Sequence, residues 1–143
     1  MKSSNASAPI LLGYAPMDQV HIEFGELVSA TLAASNRDLL LNLELLRTHL
    51  REHFGAEDRW MEDTGFPARD CHTDEHAAVL RSADEVIVLA TGGDLVVGRT
   101  FAAELQRWFP GHADYLDSAL AAWMCKRQYG GKPVVLHRRP PPS

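Results

Sequence analysis

Apolar residues recur at three- and four-residue steps along most of this chain, and the repeats divide it into four helical segments. The first runs from about Asp18, placed as an N-cap, to about Ser35, with His21, Phe24, Leu27, Val28 and Leu32 on one stripe. The second covers about Asn36 to Asp63 and carries Leu39, Leu43, Leu46, Leu50, His53, Glu57, Trp60 and Met61. Gly65 and Pro67 punctuate it and open the third, which carries His72, His76, Val79, Leu80, Ala83, Val86, Ile87 and Ala90 and closes at Gly92 and Gly93. The fourth begins near Asp94, passes through Phe101, Leu105, Trp108 and Phe109, and continues to Leu116, Leu120, Trp123 and Met124.

Only Pro133 to Leu136 offers a candidate strand. Long amphipathic segments with short connections predict an all-α fold, an antiparallel up-down four-helix bundle over about residues 18–126. Residues 1 to about 17 read as an arm laid on the bundle, and residues 130–143, with Gly130, Gly131 and three consecutive prolines, as an extended tail. At 143 residues, with no internal repeat or linker, the chain reads as one domain with a real core.

The stripes are not purely apolar, and their polar members carry the chemistry. His53 and Glu57 stand four apart, as do His72 and His76, so each pair lies about 40° apart on one helix face. His21 comes from an earlier segment, and His112 with Asp117 from a later one. Burying an unpaired carboxylate or imidazole is costly. Five histidines and two acids at matching depth are therefore best accounted for by metal coordination, and imidazole with carboxylate suits iron, manganese or zinc. The set is too large for one ion and suits two, with the carboxylates bridging. No glutamate has a histidine three residues later, which removes the ferritin-like di-iron pattern, and neither His-Glu-x-x-His nor Cys-x-x-Cys occurs. His112 and Asp117 are five apart, about 140° around a regular helix. Pro110 and Gly111 just before them suggest a break or restart of the helix there.

His21, His53-x-x-x-Glu57, His72-x-x-x-His76 and His112-x-x-x-x-Asp117, in this order, resemble the ligand pattern of the hemerythrins, and of bacterial hemerythrin among them. Met17 to His21, His53-Phe54 and Trp108 to His112 are similar to the family's flanking segments, and the resemblance covers about residues 14–125. It implies two iron ions joined by an oxo or hydroxo bridge, with O₂ as a reversible ligand. By position, His72, His76 and His112 would hold one iron, His21 and His53 the other, and Glu57 and Asp117 would bridge them. The three-histidine iron would then have six donors and the two-histidine iron five, with O₂ binding at its open position. The bridging hydroxide would supply the proton, so no catalytic residue is implied and the protein reads as an O₂ binder, not an enzyme. The alternative is a di-iron enzyme acting on peroxide or nitric oxide.

Composition narrows the partners. The net charge of −5 argues against nucleic acid or an anionic membrane, and no run approaches the roughly 18 apolar residues of a membrane span. With no signal peptide in view, a cytoplasmic location follows. Storage, delivery and sensing of O₂ all fit; sensing would need a separate protein partner, because 143 residues leave no room for an output domain. Cys71 and Cys125 support no disulfide framework, and Cys71 is placed at a helix seam. His49, one turn before His53, reads as a partly exposed helix-end residue outside the ligand set. Tyr115 reads as a packing residue, although it could line the oxygen pocket. Trp60, Trp108 and Trp123 read as core anchors, and His137 as a solvated tail residue.

Overall fold

The computed structural model describes residues 10–129. The candidate strand, the tail and His137 lie outside the described residues. Among the described residues five helices follow one another: α1 (Ala15–Ala33), α2 (Asn36–Thr64), α3 (Arg69–Thr91), α4 (Leu95–His112) and α5 (Ser118–Tyr129), the last two joined by a π-helical turn over Ala113–Asp117. α4, the π turn and α5 form one continuous rod, so the architecture is a four-helix bundle. α1 packs on α2, α2 on α3 and α3 on α4, and α1 closes the ring against α4. No helix among the described residues is long and apolar enough to cross a membrane.

Local chemistry sets the helix ends. The Ser35 hydroxyl accepts from the Asp38 amide at 3.3 Å and opens α2. Gly65 ends that helix in the left-handed region at φ 67°, where a Cβ would be strained. Asp94 accepts from the Val97 amide at 3.1 Å and opens α4. α1 departs from the predicted start. Pro16 lies in its first turn, Tyr14 is the N-cap and Asp18 sits inside the helix. The Asp18 carboxylate instead accepts from the backbone amides of Leu12 at 2.7 Å and Gly13 at 3.0 Å. That bond pair folds the preceding segment onto the bundle. The predicted arm therefore ends at Tyr14, which is buried beside Met17.

The expected break at Pro110 and Gly111 is absent. Pro110 lies inside α4, and the chain stays helical through His112. The adjustment comes three residues after Pro110, in the π turn, where the Ser118 amide donates five residues back to the Ala113 carbonyl. The wider turn brings positions five apart onto one face, which a regular helix could not do.

The apolar core is interrupted by a polar layer. Tyr14, Met17, Met61, Leu120 and Met124 form one apolar cluster. Phe24, Leu46, Leu50, Phe54 and Leu105 form a second, and Leu39, Leu43, Ile87 and Ala90 a third. On α1, His21 falls between Met17 and Phe24; on α2, His53 and Glu57 fall between Leu50 and Met61; on the α4–α5 rod, His112 and Asp117 fall between Leu105 and Leu120. All of these polar residues are buried. At the far end Gly98 lets α4 approach α2, since a Cβ there would stand 2.7 Å from Leu43 Cδ1. Cys71, expected at a seam, is exposed, while Cys125 is buried with its thiol donating to the Gly13 carbonyl.

Asp18→Ala should release the segment before α1. Losing two charge-assisted bonds should lower unfolding stability by about 1–3 kcal/mol. Asp18→Asn, which keeps one acceptor oxygen, should lose less. Urea denaturation midpoints and hydrogen exchange at the Leu12 and Gly13 amides would show both effects; unchanged exchange in Asp18→Ala would contradict this account.

Candidate metal centre

All seven residues singled out in the sequence meet in the polar layer. Their candidate ligand atoms form two overlapping groups, Glu57 with His72, His76, His112 and Asp117, and His21 with His53 and Glu57, each within 4.8 Å. The i, i+4 pairs from α2 and α3 enter from one side, His21 from the first turns of α1, and the π turn brings His112 and Asp117 in from the α4–α5 rod.

The two oxygens of each carboxylate face different histidines. Glu57 Oε1 lies 3.4 Å from His72 Nε2 and 3.3 Å from His76 Nε2, whereas Glu57 Oε2 lies 2.7 Å from His53 Nε2 and 3.6 Å from His21 Nε2. Asp117 divides in the same way. Its Oδ1 stands 2.9 Å from His72 Nε2 and 3.1 Å from His112 Nε2, and its Oδ2 stands 3.1 Å from His21 Nε2. Three imidazoles thus gather on one side of the carboxylate pair and two on the other.

The donor set fits metal ions better than it fits itself. His21 Nε2, Glu57 Oε1 and Asp117 Oδ2 are buried without a hydrogen-bond partner, although His21 Nε2 and Asp117 Oδ2 are only 3.1 Å apart. Close approach without hydrogen-bond geometry is what results when lone pairs aim at a shared point instead of at each other. His76 Nε2 and His112 Nε2 likewise converge to 3.3 Å.

Electrostatics shows what holds the layer together in the metal-free protein. Burial alone would lower the pKa of His21 and His72, but the carboxylates of Asp117 and Glu57 outweigh it and raise both from 6.5 to about 9. His76 is raised against its burial by Asp58 and Glu57. In return, Glu57 and Asp117 titrate well below the usual carboxylate range despite their burial, because histidines surround them.

Sequence spacing missed two residues. Asp58 Oδ1 accepts from His76 Nδ1 at 2.8 Å, and Glu75 Oε1 accepts from His112 Nδ1 at 2.6 Å and from Trp108 Nε1 at 3.1 Å. Each is an acid next to a singled-out residue, Asp58 after Glu57 and Glu75 before His76, and that adjacency was the available signal. Aromatic rings brace the same two imidazoles. Phe54 stacks on His76 at 4.0 Å between centroids, and Trp108 lies over His112 at 4.3 Å.

Two neighbours differ from expectation. His49 is not at a helix end: it lies half-buried within α2, with Nε2 donating to the Val20 carbonyl at 3.3 Å, outside both donor groups. Burial and the neighbouring His53 lower its pKa. Tyr115 neither packs nor lines the site, because the π turn directs it outward and leaves it 83% exposed. Trp60, Trp108 and Trp123 are partly buried and pack against the core clusters.

A family model, the Hemerythrin HHE cation binding domain, matches residues 12–124. The chain belongs to that family, and its buried histidine and carboxylate cluster is a group of residues that could hold a metal centre. No curated protein and no solved structure matches it.

His76→Ala should lose metal and also stability, because it removes a donor and leaves a cavity in a packed layer. His49→Ala should leave the metal content nearly unchanged. Metal analysis of the two purified variants decides the point, and equal losses would make His49 a ligand.

Metal uptake should depend on pH with a definite sign. Below pH 9 the metal-free protein carries protons on His21 and His72 that a cation must displace. Affinity should therefore fall as pH falls below 9, by up to about tenfold per unit for each proton released. Calorimetry in buffers of different ionisation enthalpy counts these protons; none released at pH 7 would contradict the assignment.

Proposed function

We propose that the chain is a non-haem di-iron protein that binds O₂ reversibly, for storage, delivery or sensing. The observation that carries this reading is the division of the two carboxylates. Each offers one oxygen to a group of three imidazoles and the other to a group of two, so two ions would be bridged twice and would differ by one protein donor. Imidazole and carboxylate donors suit iron, and a bridged ferrous pair supplies the two electrons that reversible O₂ binding requires.

The surroundings of the two-histidine side favour binding over turnover. Phe109 meets His21 edge-on at 4.8 Å and packs on Phe24 at 5.0 Å. Phe24 and Phe109 share one apolar cluster with Leu50 of α2. Tyr115 points to solvent and the Nε2 proton of His49 is committed to a backbone carbonyl, so neither stands ready to protonate a ligand in this layer. Release of peroxide or cleavage of the O–O bond needs protons and electrons from outside, and apolar walls slow their delivery. The protein needs no general acid, and its ligand is O₂ alone unless a sensing or delivery role adds a protein partner.

Protein from iron-replete cells should contain about two irons per chain and, when reduced, take up about one O₂ per iron pair. Optical spectra recorded before air exposure, after it and after degassing should return to the starting trace. One tightly held zinc would overturn the di-iron reading. Rapid consumption of peroxide or nitric oxide with added reductant would favour an enzyme over a carrier.

A further inference from the structure

The two halves of the centre are not supported equally. On the three-histidine side, His76 and His112 each donate Nδ1–H to a carboxylate, Asp58 at 2.8 Å and Glu75 at 2.6 Å. The third imidazole on that side, His72, has its Nδ1 buried without a hydrogen-bond partner among the described residues, and on the two-histidine side so do both His21 and His53. Two of three rings are thus anchored on one side and none of two on the other. Each anchoring acid also comes from the helix before its histidine, Asp58 on α2 reaching His76 on α3 and Glu75 on α3 reaching His112 on α4. The anchors therefore tie α2, α3 and α4 together at the level of the site. Among the described residues no carboxylate tie of this kind reaches His21 Nδ1 on α1.

A neutral imidazole has one N–H and one lone pair, and the hydrogen bond at one nitrogen decides which atom is free to bind metal. A carboxylate at Nδ1 fixes the proton there, orients the ring and makes Nε2 a stronger donor. Both anchors keep contact with water, with side chains 40% and 37% exposed for Asp58 and Glu75, so they act as charged acceptors without the cost of full burial. Glu75 and Trp108 line an open groove of about 530 Å³ between α3 and α4.

We infer that Asp58 and Glu75 are positioning residues that make the three-histidine side the tighter of two unequal metal sites, the one filled first and emptied last. The inference rests on the two-ion reading above, but not on iron or O₂.

Titration of the metal-free, full-length protein with cobalt(II) under nitrogen, followed by calorimetry and visible absorption, tests it. The wild type should bind two equivalents in two steps. His112→Ala should abolish the tighter step and His21→Ala the weaker one, which assigns them. Asp58→Asn and Glu75→Gln should each weaken the tighter step about 10- to 100-fold and alter the absorption of the first equivalent, while moving the weaker step by less than about twofold. Glu75→Ala should lose more than Glu75→Gln, which keeps an acceptor oxygen. Partial exposure of both side chains lets the variants fold, and circular dichroism verifies this. Equal weakening of both steps would reduce the acids to a general structural role and overturn the inference, as would no change in either. A wild type that binds a single equivalent would instead sink the two-ion reading, and this inference with it.

Discussion

Two carboxylates, Glu57 and Asp117, are buried at 0% exposure in the centre of a helical bundle, and the rest of the structure answers to that fact. An ionised carboxylate in an apolar interior is expensive unless its oxygens meet positive charge or hydrogen-bond donors. Here five imidazoles surround the pair. In the metal-free protein the protons raised onto His21 and His72 supply the compensating charge, and metal ions would take their place when bound. The layer is thus held together by charge in either state. Apolar clusters above and below keep water out, and every helix of the bundle must contribute a donor at one depth for the balance to close.

Much of this was legible in the residues themselves. The i, i+4 pairs on α2 and α3 announce a shared face, so spacing marked His53, Glu57, His72 and His76; His21, His112 and Asp117 joined them as polar interruptions of apolar stripes and through the resemblance to the family pattern. Ser35 and Asp94 cap helices where periodicity placed their starts. Other features needed the third dimension. Asp18 has an N-cap's residue type, but Pro16 and Tyr14 begin the helix earlier, leaving the carboxylate to bind amides that precede it. Asp58 and Glu75 look like ordinary surface acids, because their partners lie on other helices, 18 and 37 residues away. Tyr115 was misplaced because a regular helical wheel does not apply where the backbone widens.

The anchoring pattern also orders the bundle mechanically. α2, α3 and α4 are joined at the site by carboxylate–imidazole bonds between helices, whereas α1 meets the layer through His21 and, beside it, through the Val20 carbonyl that accepts from His49. Phe109 and Phe24 then hold the α1 side of the site by packing. The site thus has hydrogen-bonded support from three helices on one side and aromatic packing on the other.

The π turn carries a consequence for how this chain can change in length. Its five residues stand where four would close an α turn, so one residue is surplus. Ala102, Leu105 and His112 before it, and Asp117, Leu120 and Met124 after it, each keep helical phase within their own set, and the two sets are offset by one position. Removing one of the exposed residues Asp114 or Tyr115 would merge them into a single unbroken α phase with His112 and Asp117 still facing inward. The same removal within α4 before His112 would rotate everything beyond it by about 100° and carry His112 and Asp117 out of the layer.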